Sequence, residues 1–193
     1  VTVEAGDMAY IESDGTTVYV NVVKKNGAAL TSADFPCLHV RDEKSAGTEG
    51  GASSSGANER VLNTVVTNTI SGASLASNRV TLPAGTYRVE ARAPASCSAT
   101  AVGARHKLIL YNVTDAANVI VGSASGVDNS ANLAANVVNM TDSVVRGQFT
   151  LAATKTLSLS HYFSSGLAAV GLGKATGSSG VEVYAEAQFW KVG

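Results

Sequence analysis

The most regular stretch of the chain runs from Thr86 to Ala93, where Tyr87, Val89, Ala91 and Ala93 alternate with Thr86, Arg88, Glu90 and Arg92. A period of two puts the first set on one face of a strand and the second on the other, one face buried and one wet. Pro83-Ala84-Gly85 precedes it as a turn, since proline presets φ and glycine accepts positive φ. A second alternating run covers Val181 to Trp190. Here Val181, Val183, Ala185, Ala187 and Phe189 share a face, and Glu182, Tyr184, Glu186 and Trp190 share the other. Two large aromatic residues on a nominally wet face call for a cover, so Tyr184 and Trp190 are expected at an interface between subunits.

Six further segments suit a pleated sheet: Leu38 to Asp42, Val61 to Thr69, Lys107 to Val113, Val119 to Gly122, Val144 to Leu151 and Thr156 to Phe163. Ala152-Ala153-Thr154-Lys155 is expected to join the last two as a hairpin. Helical periodicity is nearly absent, and glycine, serine, threonine and asparagine crowd the gaps. Eight strands from Leu38 onward predict an all-β sandwich of the jelly-roll kind over residues 36–193. Residues 1–35 read as a separate small β-element. Met8 to Ile11 and Thr16 to Val23 flank Glu12-Ser13-Asp14-Gly15, and Asp-Gly between β-formers signals a hairpin. Three segments read as long loops, either functional or mobile: Lys44 to Asn58, Ser123 to Asn139 and Ser164 to Gly180. Asn129, Asn132, Asn136 and Tyr162 lie in or beside them and are the candidate binding residues.

Composition narrows the function classes. The 193 residues are 45% hydrophobic and only 15% charged, against about 25% charged in an ordinary domain. A surface so poor in charge fits burial in an oligomer. The net charge of −1 carries no footprint for nucleic acid or for an anionic membrane. No apolar run approaches the roughly 20 residues that span a bilayer. The start, Val1-Thr2-Val3-Glu4, has neither an initiator Met nor the regions of a signal peptide, and suggests a fragment or a processed form. Cys37 and Cys97 are too few for a disulfide scaffold; they could pair, but two buried free thiols are the preferred reading.

Catalytic signatures are missing, and no cofactor or metal is expected. His39, His106 and His161 belong to no closely spaced ligand motif, and hydrogen-bonded strand histidines are preferred over a zinc or iron site. The close carboxylate pairs are Asp42-Glu43 and Glu182/Glu186. The first, beside Arg41 and Lys44, reads as a solvated charge cluster, and the second as two groups on one strand face rather than a glycosidase pair. No G-x-S-x-G elbow occurs, and Gly171-Leu172-Gly173-Lys174 lacks the spacing of a phosphate loop.

A series of segments resembles a known family. Leu38-His39-Val40-Arg41-Asp42-Glu43-Lys44 is followed by Arg60-Val61-Leu62-Asn63-Thr64 and Leu82-Pro83-Ala84-Gly85-Thr86-Tyr87. Then come Arg105-His106-Lys107-Leu108, Tyr111-Asn112-Val113-Thr114-Asp115, Val145-Arg146-Gly147-Gln148-Phe149-Thr150 and the ending Trp190-Lys191-Val192-Gly193. In this order, over about residues 36–193, they resemble the C-terminal domains of phage and prophage tail-fibre-type proteins. Those domains are similar to the trimeric jelly rolls of the tumour-necrosis-factor and complement globular-head type. The resemblance implies a sandwich of about ten strands, a homotrimer, and a place on the virion surface after assembly in the bacterial cytoplasm. It further implies non-enzymatic binding of a host-surface glycan or protein, with residues 1–35 as a neck, adaptor or anchor to other virion structural proteins. A structural head-fibre or capsid decoration protein is the alternative.

Overall fold

A computed structural model of the chain describes residues 8–13, 18–23, 36–98, 104–127, 138–178 and 180–193. Every regular element among them is a strand. They are β1 (Met8–Ser13), β2 (Val18–Val23), β3 (Cys37–Lys44), β4 (Gly56–Glu59), β5 (Thr64–Asn68), β6 (Ser74–Ala76) and β7 (Arg79–Leu82). They continue with β8 (Gly85–Ser98), β9 (Ala104–Asn112), β10 (Ala117–Val127), β11 (Val138–Leu151), β12 (Lys155–Phe163) and β13 (Glu182–Lys191). The expected N-terminal pair forms as β1–β2, antiparallel from Met8 opposite Val23 to Ser13 opposite Val18, in a two-stranded sheet of its own.

The remaining strands make two antiparallel sheets. One has the order β11-β8-β13-β3-β5; the other runs β10-β9-β12-β7-β6, with β4 also paired to β12. The two inner faces enclose the core. Leu38 and Val40 of β3, Tyr87 to Ala93 at every second position of β8, and Ala185, Ala187 and Phe189 of β13 come from the first sheet. Val80 and Leu82 of β7, Leu108 and Leu110 of β9, and Leu157 and Leu159 of β12 meet them from the second. The alternation read along Thr86 to Ala93 is thus the alternation of core and solvent, and beyond it Pro94, Ala95 and Ser96 are all buried.

Three expectations change. β11 and β12 do not form a hairpin: β11 pairs with β8 and β12 with β9, β7 and β4, so Ala152 to Lys155 carries the chain from one sheet to the other. Of the segment expected as a loop from Ser123 to Asn139, the described residues at both ends are strand, with β10 continuing to Val127 and β11 starting at Val138. β4, β6 and β7 are short strands that the hydrophobic pattern did not indicate.

The other two long loops are fixed to each other. Ser53 and Leu167 form a β-bridge, Gly50 N donates to Gly173 O, and Leu172 N donates to Gly51 O. The Glu182 carboxylate accepts from the backbone N–H groups of Gly47, Thr176 and Gly177 at 3.0–3.1 Å. Glu49 accepts from Lys174 Nζ and Ala175 N, each at 2.6 Å. Beneath them Arg60, fully buried, donates to Leu172 O at 2.9 Å and Pro94 O at 3.3 Å.

Candidate functional site

At this same pole of the sandwich the inward-facing row turns polar. The positions that hold Leu108 on β9 and Leu159 on β12 are followed along each strand by His106 and His161, both buried. His106 Nδ1 lies 2.9 Å from His161 Nε2, and His106 Nε2 lies 2.8 Å from Thr141 Oγ1 on β11. Phe163 packs on both rings, with centroids 6.0 Å and 4.3 Å away. Burial, with the nearby Arg60 guanidinium and His106, pulls the His161 imidazole down to about 2, so the ring is neutral. Burial also lowers His106. It lowers Arg60 to about 10, against the opposing pull of Asp42 and Asp142.

The outer surface of the same strands carries a groove of about 600 Å³, lined by Arg105, His106, Lys107, Ala124, Ser125, Gly126 and Tyr162. Its geometry follows from the strand register. Tyr162 on β12 stands opposite Lys107 on β9 and, on its other side, opposite Ala57 on β4. Lys107 stands in turn opposite Ala124 on β10, and Arg105 opposite Gly126. With only Ala57 beside it on the β4 side, the Tyr162 ring stands proud, and 46% of the residue is exposed. Gly126 clears space for its neighbour: a Cβ there would stand 2.7 Å from Arg105 Nη1.

Of the residues selected from sequence, Tyr162 belongs to this groove. Asn129, Asn132 and Asn136 lie outside the described residues. Arg105 and Lys107 were not selected, although alternation along β9 places both on the face opposite Leu108 and Leu110.

The two aromatic residues expected at an interface part company. The pairing of β13 with β3 shifts between Val183 and Glu186, so that β13 spends one residue more than β3 there. This bulge reverses the alternation. Tyr184, expected beside Trp190, is 3% exposed and donates its hydroxyl to Thr48 O at 2.7 Å, leaving almost no surface for another chain. Val181, expected inside, is exposed. Trp190 does lie on the outer face of the five-stranded sheet, with the Arg88 guanidinium 5.9 Å from its ring centroid.

That outer face holds a network of charges. Glu186 accepts from Arg41 Nε at 3.0 Å, pairs with His39 Nε2 at 2.6 Å and lies 3.4 Å from Arg92 Nε. Arg146 reaches Glu90 at 2.6 Å. All three histidines are thus hydrogen-bonded strand residues, and His39 stands on a different sheet from the other two. Asp42 corrects the expected solvated cluster: it continues the inward row of Leu38 and Val40 and is 1% exposed, while Glu43 faces outward to Arg41. Burial raises the Asp42 carboxyl above the ordinary aspartate value. Cys37 is a free, half-buried thiol.

No family model and no curated protein sequence matches the chain. Among solved structures, murine APRIL at pH 5.0 superposes with a TM-score of 0.51 at 10% identity, over 82% of this chain and 99% of that one. Murine APRIL at pH 8.5 matches over the same shares at 10% identity with a TM-score of 0.47. The first likeness identifies the sandwich as a jelly roll of the tumour-necrosis-factor type, the fold expected from the sequence.

Proposed function

We propose that the chain is a homotrimeric surface module of a phage particle that attaches, without catalysis, to a glycan or protein on the host cell. The groove around Tyr162 carries this reading: an exposed aromatic ring beside two cationic side chains, on a rigid sheet rather than a loop. The ordered resemblance of residues 36–193 to phage tail-fibre-type domains supports the viral setting, and three weak sites on one trimer would sum by avidity. The test is binding of labelled protein to a panel of bacterial cells with soluble cell-wall glycans as competitors. Selective, competable binding that Tyr162→Ala weakens is the expected result; equal binding by Tyr162→Ala removes the groove from the reading.

A structural head-fibre or capsid role has one observation in its favour, the separate β1–β2 sheet, which suits an anchor to other virion proteins. Retention on purified particles with no cell binding would decide for it.

Assembly has its own measurement. Sedimentation at micromolar concentration should give three times the 19.6 kDa of the chain. Trp190→Ala should lower that mass, while Tyr184→Phe, altered inside its own chain, should leave it unchanged. A clean monomer rejects the trimer.

A further inference from the structure

We infer that the ligand of the Tyr162 groove is an acid-bearing polysaccharide, a polymer of sugar rings carrying carboxylate or phosphate groups. The inference rests on reading this groove as the attachment site, and adds to it the chemistry of what attaches. Three observations lead there.

The groove is cationic in a chain that is not. Acids outnumber Lys and Arg by 15 to 14 over the sequence, yet among the described residues the lining holds Arg105 and Lys107 and no carboxylate. Six cations of the chain have acidic partners on the sheets and loops. Arg41 and Arg92 meet Glu186, Arg79 meets Glu59, Arg146 meets Glu90, Lys155 meets Asp115 and Lys174 meets Glu49. Lys107 has no acidic partner among the described residues. A cation placed on a sheet face without a counter-charge is complementary to an anion from outside.

The second observation is the ring. Tyr162 is flanked across the strands by Ala57 and Lys107, with Ala124 beyond. An exposed aromatic face with only alanine on one side suits the apolar face of a sugar ring, which stacks through its C–H bonds, and the phenol hydroxyl can bond sugar hydroxyls.

The third is spacing. Direct cross-strand partners hold their Cβ atoms about 4.5–5.5 Å apart, so the Tyr162 ring and the Lys107 stem rise side by side. A sugar stacked on the ring presents an acid substituent, one bond off its own ring, toward the ammonium. Clearance over Gly126 lets the Arg105 guanidinium lie along β10, where its charge adds to the positive potential of this face.

The test uses the whole chain on three immobilised polymers: polygalacturonate for the carboxylate, phosphorylated dextran for the phosphate, and plain dextran as the neutral control. Binding to one or both acidic polymers and none to dextran is expected. Lys107→Gln should weaken it about tenfold, as should Tyr162→Ala. Lys155→Gln removes one cation at the far end of β12, so it should change nothing. Equal binding to plain dextran overturns the inference, and so does an equal loss in Lys155→Gln, which would mark diffuse charge attraction. The cell assay separates the two claims. Cell binding that Tyr162→Ala weakens but neither acidic polymer displaces keeps the groove and overturns the acidic ligand. Lys107-dependent binding to an acidic polymer with no cell bound upholds the ligand and overturns host attachment.

Discussion

Neutral histidine is an unusual choice for the interior of a sandwich, and the two rings here share a single bond. If His161 Nε2 carries the proton and donates to His106 Nδ1, then His106 Nε2–H donates to Thr141, and His161 Nδ1 is left as a bare, buried acceptor. The opposite arrangement would bury an unpaired N–H, which is the rarer and costlier defect. Charging His106 forces that arrangement, because both of its nitrogens then donate. Since folding lowers both histidines below their ordinary value of 6.5, their contribution to stability is complete above pH 6.5 and shrinks as the pH falls below it. The expected slope is about 1.4 kcal/mol per pH unit for each histidine that stays neutral in the folded state. Asp42, raised by burial, opposes this slope only nearer its own range. Urea unfolding at pH 7.5 and 5.0 measures the effect: stability should drop at pH 5.0, and His161→Gln should flatten the drop. A pH-independent unfolding free energy over that span would show that the pair is not held neutral.

At the scale of elements, the loops from Lys44 and from Ser164 behave as one structure, because each supplies backbone groups that the other satisfies. Glu182 is the hub of that arrangement. Replacing it with Ala should accelerate amide hydrogen exchange at Gly47, Thr176 and Gly177, the three donors that it accepts, and leave the amides of β8 and β12 protected. Unchanged exchange at those donors would show the loops to be held by other bonds. The strands themselves were legible from Thr86, Leu38, Lys107 and Thr156 onward because each buries one face, which writes a period of two into the sequence. Three things were not. The bulge in β13 leaves no residue signature, since Tyr184 and Ala185 fit either phase until β3 is laid beside them. β4, β6 and β7 are too short for a period to show. The loop zipper is written in backbone amides, which every residue but proline has. The groove was half legible: Tyr162 was found for its position beside a loop, whereas Lys107 gains meaning only when β12 places it opposite that ring.

Taken whole, the molecule joins its sheets at corners that tolerate no added atoms. A Cβ on Gly122 would stand 2.5 Å from Val144 O and 2.7 Å from Leu108 O, both backbone, while Ser143 Oγ accepts from Leu108 N and donates to Ser123 O. Gly122→Ala should therefore cost about 1–3 kcal/mol in chemical denaturation; a loss below a few tenths would mean that β10 and β11 can move apart there. The strand order has a different consequence, one of timing. β13 lies between β3 and β8, so the first strand of the sandwich waits for the last before the five-stranded sheet can close. Until Glu182 to Lys191 leaves the ribosome, β3 and β8 each keep a row of unsatisfied amides on the side where β13 belongs. A nascent chain of this topology closes that sheet late, and a ribosome stalled before β13 has emerged would hold out two open sheet edges to any neighbouring copy on the same message.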